Sequence, residues 1–343
     1  MPRSEITIDL GALRHNARRL LEALRGAELW AVVKADGYGH GARDVAEAAM
    51  EAGAVVLCVA TASEGFELRA AFPEARILVM GPTSEQDWRA AREARLELTV
   101  PGGHIPEGVP VHLKLDTGMG RWGLSELPEP PANVVGLMSH LATADTDPLF
   151  AEVQIKRFRE AVAPFRRRRA CHLANSAAAL RLGSSHFDAA RCGIALYGLS
   201  PFASDPADDG LRPVLSWRSE LAQTKELPAG ESTGYGRRFR ARRTTWIGIV
   251  PVGYADGFRR DLTGTQVLVG GQRRRVVGTV SMDAFAVEVD AETRSGTPVT
   301  MVGDGILLEE HARRAGTINY ELASRINTSA ARARRVVVDA AAG

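Results

Sequence analysis

Eight short apolar runs constrain the fold of this 343-residue chain more than any other feature. They fall at residues 29–34, 55–60, 77–81, 96–100, 111–115, 134–140, 170–175 and 189–196. Most are nearly continuous runs of Val, Leu, Ile and Ala, the pattern of strands covered on both faces. Helical stretches separate most of them, at 42–51, 63–72, 84–95, 148–165 and 176–182. The gap between Val100 and Val111 is too short and too rich in Pro and Gly for a helix. Eight such units in about 200 residues suit a closed α/β TIM barrel better than an open sheet. No GxGxxG follows the first run, which counts against a dinucleotide-binding sheet.

The character of the chain changes near Pro213. Short alternating runs follow, at 215–224, 244–252, 265–269, 275–280 and 285–289, broken by turn signals such as Pro228-Ala229-Gly230 and Gly270-Gly271. This is the signature of a mainly antiparallel β domain. A last helix at 320–326 leads into a strand at 335–338. The expected division is residues 1–212 for the barrel and 213–343 for the β domain, with a linker at 200–213. A short strand at 6–10, ahead of a helix at 11–24, could bring the first ten or so residues into the second domain.

Composition narrows the functional classes. The net charge of +2 gives no general reason to expect nucleic acid or an anionic membrane as partner. The runs Arg166-Arg167-Arg168-Arg169 and Arg273-Arg274-Arg275 read as solvated faces. Cys58, Cys171 and Cys192 lie far apart in apolar surroundings, so they read as buried free thiols of a reducing compartment and not as a metal site. No apolar run reaches the roughly 18 residues that span a bilayer. The N-terminus shows no hydrophobic signal segment, and the expected location is the cytoplasm.

The first strand signal ends on Lys34, and the glycine-rich turn Ala35-Asp36-Gly37-Tyr38-Gly39-His40-Gly41 follows at once. A strand-end lysine can snorkel to solvent. Equally, a desolvated lysine is a neutral amine and a nucleophile toward carbonyl carbon. In a TIM barrel, functional residues collect at the C-terminal ends of the strands. Lys34, Lys114, Asp116, His140, Asn175, Ser176 and Arg191 all fall at or near such ends.

The string VVKADGYGHG closely resembles the pyridoxal-phosphate lysine motif of the alanine racemase family, of fold type III. The resemblance implies that Lys34 carries the cofactor as an internal aldimine and that Tyr38 touches its phosphate. It continues through the chain. LKLDTGMGRWG is similar to the segment whose arginine binds the substrate carboxylate, which assigns Arg121; a turn arginine is the alternative. Lys114 matches a lysine that is carbamylated in many members, and an uncarbamylated lysine beside Arg121 would repel it. HLATAD places His140 behind the cofactor, or else as a satisfied core histidine. ANSAA puts Ser176 at a helix start, suited to a phosphate or to a plain helix cap. RCGIALYGL assigns Arg191 to the pyridine nitrogen, and the Gly193 and Ile194 N–H groups to the phosphate.

The resemblance extends into the second domain. VGYADGF matches the segment carrying a tyrosine opposite the lysine, so Tyr254 would serve the other face of Cα; a strand-end core tyrosine is the alternative. VSMD places Met282 and Asp283 at the substrate entry, facing a partner subunit. Arg191 stays protonated, so its pyridine partner would be an unprotonated acceptor and a weaker electron sink, favouring proton return to Cα over transamination. The implied function is interconversion of L- and D-alanine by a homodimer with shared active sites, supplying D-alanine for peptidoglycan. Racemisation of serine or another small amino acid and non-catalytic cofactor binding are the rival readings. The match weakens past Asp283, where Thr328 stands in place of a tyrosine of some members.

Overall fold

The computed structural model describes residues 3–339, and they divide into two compact units. One contains Leu13–Phe202 and Pro206–Arg212. The other contains the chain up to Ala12, Ala203–Asp205, and everything from Pro213 onward.

The first unit is a closed barrel of eight parallel strands. They are Glu28–Val32, Val56–Val59, Arg76–Val79, Glu97–Val100, Val111–Lys114, Val134–Met138, Ala170–His172 and Ala189–Cys192. Closure comes from the last strand pairing with the first, with Trp30 opposite Arg191. Every one of the eight apolar runs supplies a strand. Five strands stop two or more residues earlier than their apolar runs, the third at Val79 and the seventh at His172 among them. The first ends at Val32 and not at Lys34, the sixth at Met138 and not at His140, and the last at Cys192. Past those points the residues stay buried but turn into loops or a 3₁₀ turn, Ile194–Tyr197, and apolarity alone cannot mark that change.

Local signals fix where the helices begin. Thr61 and Glu64 form a reciprocal capping box ahead of Ala62–Ala71. Asp147 caps Pro148–Val162, which has proline in its first turn. The helix Ala42–Glu51 coincides with its sequence signal.

The second unit is built on a nine-stranded sheet. Its order is Gln223–Leu227, Thr245–Val250, Phe285–Val289, Gln272–Val277, Gln266–Val269, Pro298–Val302, Leu215–Glu220, Glu5–Asp9 and Arg334–Val338. All neighbours are antiparallel except the last pair, where the N-terminal and C-terminal strands run parallel. The run 215–224 is two strands and not one. Leu221 donates its N–H to Thr297 and Ala222 donates to Ile249, so the chain changes neighbours there. Continuous alternation in sequence does not reveal a change of pairing partner. The strand Pro298–Val302 and the helix Leu308–Ala315 had no counterpart among the sequence signals.

Among the described residues no helix is long and apolar enough to cross a membrane. Cys58, Cys171 and Cys192 are free thiols, all buried.

Candidate active site

Lys34 does not end a strand; it opens a left-handed turn. Ala35, Asp36, Gly37 and Tyr38 all have φ between 50° and 61°. For the three non-glycine residues this conformation costs about 1–2 kcal/mol each, so surrounding bonds must hold it. Gly37 donates its N–H to Val33 O, and Gly41 to Asp36 O. The Ala42 N–H donates to Asp36 Oδ1 at 2.8 Å. The Ala35 N–H donates to Glu64 Oε1 at 2.7 Å, while the other Glu64 oxygen accepts from Ala60 N–H at 2.8 Å. Glu64 therefore ties this turn to the next strand end, a role its sequence context shows only as a helix cap.

The turn delivers Tyr38 to the end of the neighbouring last strand, against Gly193. A Cβ placed on Gly193 would lie 2.6 Å from Tyr38 Oη, so only glycine fits there. Ser176 also meets this point. Its Oγ accepts from the Gly193 N–H at 3.0 Å and from the Ala195 N–H at 3.4 Å. The cap of the Ser176–Arg181 helix is Asn175, whose side chain accepts from Ala178 N–H. Ser176 is thus not the plain helix cap. With two N–H groups feeding its oxygen, its hydroxyl proton remains to be donated to an anion. Gly193, Ile194, Ser176 and Tyr38 are all buried together, and burial pushes the Tyr38 phenol well above its ordinary range, keeping it a neutral donor.

Arg191 lies deeper, 4% exposed. One guanidinium nitrogen donates to His172 Nδ1 at 2.6 Å and to His172 O at 2.9 Å. The other donates to Ser139 O at 2.7 Å and reaches His140 Nδ1 at 3.3 Å. Burial lowers Arg191 to about 10, still charged at neutral pH. His140 falls to about 3, through burial first and then the cations Arg191, Lys114, Arg121 and Lys34. His140 is therefore neutral. With Nδ1 facing a donor, its proton sits on Nε2.

Two lysines share this end of the barrel. Lys34 is lowered by burial and next by the charge of Arg121. Lys114, 4% exposed, is lowered to about 8 by burial, then by Arg121 and Arg191. Arg121 and Lys114 both lie near the Trp122 ring, at 5.2 and 5.5 Å from its centroid. Arg121 is held in a turn organised by Asp116, which accepts from the N–H groups of Gly118, Met119 and Gly120.

Tyr254, Met282 and Asp283 belong to the other unit. Tyr254 is 43% exposed and Met282 53%. Their loops are stitched together: Tyr254 N–H donates to Ser281 O, and Ala255 N–H to Met282 O. Asp256, buried, accepts from Gly253 N–H at 2.8 Å and from Arg332 Nε at 2.8 Å. Arg332 and Arg3 both also reach Asp283. Sequence reading assigned no role to Asp256, Arg332 or Arg3. Arg332 stands in the segment where the resemblance faded, and only its contacts reveal it as a support of the Tyr254 turn.

Matches to known proteins cover most of the chain. The family model "Alanine racemase, N-terminal domain" matches residues 8–201, and "Alanine racemase, C-terminal domain" matches residues 214–336. An alanine racemase of Levilactobacillus brevis is 39% identical over 356 residues, covering 93% of this chain and 94% of that one. The solved alanine racemase of Streptomyces coelicolor is 39% identical, covers 98% of both chains and superposes with a TM-score of 0.89. The alanine racemase of Bartonella henselae, solved with covalently bound pyridoxal phosphate, is 25% identical, covers 98% of this chain and 99% of that one, and gives a TM-score of 0.86. A barrel with this lysine turn, joined in sequence to this β domain and matched from residue 8 to residue 336, belongs to the alanine racemase family, a family of pyridoxal-phosphate-dependent isomerases.

Proposed function

We propose that this protein interconverts L-alanine and D-alanine using pyridoxal phosphate, with Lys34 and Tyr254 exchanging the α-proton on opposite faces of Cα. One observation carries the reading. Lys34, Arg121, Arg191 and the Tyr38–Ser176–Gly193 cradle gather at one end of the barrel, each suited to a different part of the cofactor–substrate pair. The residues fit the group. The cradle leaves room that a Cβ on Gly193 would fill, and it offers the Ser176 and Tyr38 hydroxyls to a phosphate. Arg191 presents a fixed cation for the ring nitrogen. The cofactor, when bound, supplies the electron sink that makes an amino-acid α-proton removable.

The chain's own residues do the rest. Lys34, its amine made available by burial, would hold the cofactor through its aldehyde group and would take or return a proton at Cα. Arg121 binds the substrate carboxylate through its planar fork and so fixes which face of Cα meets Lys34. Tyr254 serves the opposite face. His140 carries its free proton on Nε2; given to the Tyr254 phenolate, it would help Tyr254 act near neutral pH. Lys114, carbamylated, would change from a cation that repels Arg121 into an anion that holds it. Met282 and Asp283 flank the Tyr254 loop and form part of the substrate entry.

A homodimer with two equivalent shared sites, acting in the cytoplasm and supplying D-alanine for the cell wall, completes the proposal. The test is chiral analysis after incubating the purified, cofactor-loaded protein with L-alanine and, separately, L-serine. Alanine should approach equal amounts of the two enantiomers, much faster than serine. Faster loss of serine would reassign the substrate. No change in either would leave only cofactor binding.

A further inference from the structure

The interior of a TIM barrel is usually filled with layers of Val, Ile and Leu. Here it holds Glu97, His112, His172 and Arg191, with Trp30 packed on both imidazoles, 4.3 Å from His172 and 5.7 Å from His112. Space is made for them: a Cβ on Gly136 would lie 2.0 Å from His112 Nδ1. Such a buried layer costs stability unless every member is satisfied, so it needs a reason.

Arg191 supplies it. Its guanidinium is buried, and its direct hydrogen-bond partners are carbonyl oxygens and imidazole nitrogens, none of them a carboxylate. The charge that balances it is reached through two rings. His172 Nε2 lies 2.8 Å from His112 Nδ1, and His112 Nε2 lies 2.8 Å from Glu97 Oε2. Proton accounting allows one arrangement. A guanidinium only donates, so His172 Nδ1 accepts. The neutral His172 ring then carries its proton on Nε2 and donates to His112 Nδ1. His112 in turn carries its proton on Nε2 and donates to Glu97. Reversing the chain, or charging His112, would put a proton on His172 Nδ1 facing a guanidinium N–H at 2.6 Å.

The surrounding groups agree. Burial lowers both His112 and His172, keeping them neutral. Burial would raise Glu97, but hydrogen bonds from His112 and Arg76 outweigh it and hold the carboxyl at about 2. Arg76 clamps the outer end through two bonds, at 2.7 and 3.1 Å. The nearby Cys58 and Cys192 thiols are pushed up to about 12 and stay uncharged.

We propose that Glu97, acting through His112 and His172, is the counter-charge of Arg191 and fixes the guanidinium where the cofactor's ring nitrogen must meet it. Glu97, His112 and His172 are positioning residues; none touches the substrate. The proposal rests on the assignment of Arg191 to that nitrogen. It extends the control of reaction outcome from one arginine to a chain crossing the barrel interior.

Two measurements test it. In the wild-type holoenzyme, 15N NMR should find His112 and His172 protonated at Nε2 alone and not titrating between about pH 5.5 and pH 9. A proton on Nδ1 of either, or a cationic ring, would overturn the chain. In Glu97→Gln holoenzyme, the cofactor's ring-nitrogen resonance should shift. Pyruvate formed per racemisation should rise about tenfold, the effect of one unit in that nitrogen's proton affinity. Arg76→Met, which keeps the carboxylate but removes its outer clamp, should shift both less than Glu97→Gln does. If Arg191→Gln moves the resonance and Glu97→Gln does not, the counter-charge role fails and the Arg191 assignment stands. If neither moves it, that assignment fails first. Should Glu97→Gln not fold, the wild-type imidazole tautomers decide.

Discussion

The hydroxyl of Tyr38 occupies the space where a side chain on Gly193 would begin, 2.6 Å from an ideal Cβ. Two residues far apart in sequence thus shape one cradle. Gly193→Ala should push the Tyr38 ring aside and weaken cofactor retention at least tenfold in equilibrium dialysis, a loss of about 1.4 kcal/mol. The ring's Cζ would still crowd the new methyl at 2.9 Å, so Tyr38→Phe should rescue only part of the loss. Strict additivity of the two substitutions would show that they do not share the site.

Lys34 is the expected point of covalent attachment. Reduction of the yellow protein with borohydride, then peptide mapping, should place the label on the peptide containing Lys34. A label on Lys114, the other lowered lysine at this end of the barrel, would exchange their roles.

Tyr254→Phe should separate the two faces of Cα. In deuterated water, α-proton exchange from one alanine enantiomer should fall by about 100-fold, the lower range for loss of a general base, while exchange from the other persists. Equal losses for both enantiomers would argue against two bases.

The charge on Lys114 has a pH signature. Its amine is held near 8 against an ordinary 10.5, by burial first and then by Arg121 and Arg191. Between these values the unfolded chain binds a proton that the folded protein has released, so stability rises with pH across that window. Below about 8 the folded state carries the full cost of the buried charge. Lys114→Met should therefore raise the urea midpoint of unfolding more at neutral pH than near pH 10, with the proteins prepared free of bicarbonate. A gain independent of pH would refute the buried-cation account. Adding bicarbonate should stabilise wild type but not the variant, and intact mass should show the CO2 adduct on Lys114.

Shared sites predict complementation. Lys34→Ala and Tyr254→Phe would each be inactive as homodimers. After subunit exchange about half of the dimers are mixed, each with one intact site, and roughly a quarter of wild-type activity should return. No recovery after confirmed exchange would place both residues within one protomer's site.

The barrel was legible in the sequence because strands buried on both faces must be continuously apolar, and eight such runs at regular spacing leave few alternatives. Lys34, Arg121, Arg191 and Tyr254 stood out as candidates because each stands in a string whose neighbours also resemble the family's motifs. Strand ends were not, since Val33, Leu173 and Leu196 remain buried past the last ladder bond. The left-handed run through Ala35, Asp36 and Tyr38 was equally hidden. Only the glycines hinted at it, and the bonds from Glu64 that hold it join segments 29 residues apart. Glu97, His112 and His172 lie on three separate strands with nothing local to mark them. Their meaning arises where barrel closure brings hydrogen-bonding groups within 2.8 Å, in an interior where an unpaired proton or charge is costly. By itself the sequence determined which segments are buried and which side chains are candidates for the chemistry, because both depend on residue type and short-range pattern. The tertiary structure decided how those groups are charged, tautomerised and held, because those properties depend on partners that come together only when the barrel closes.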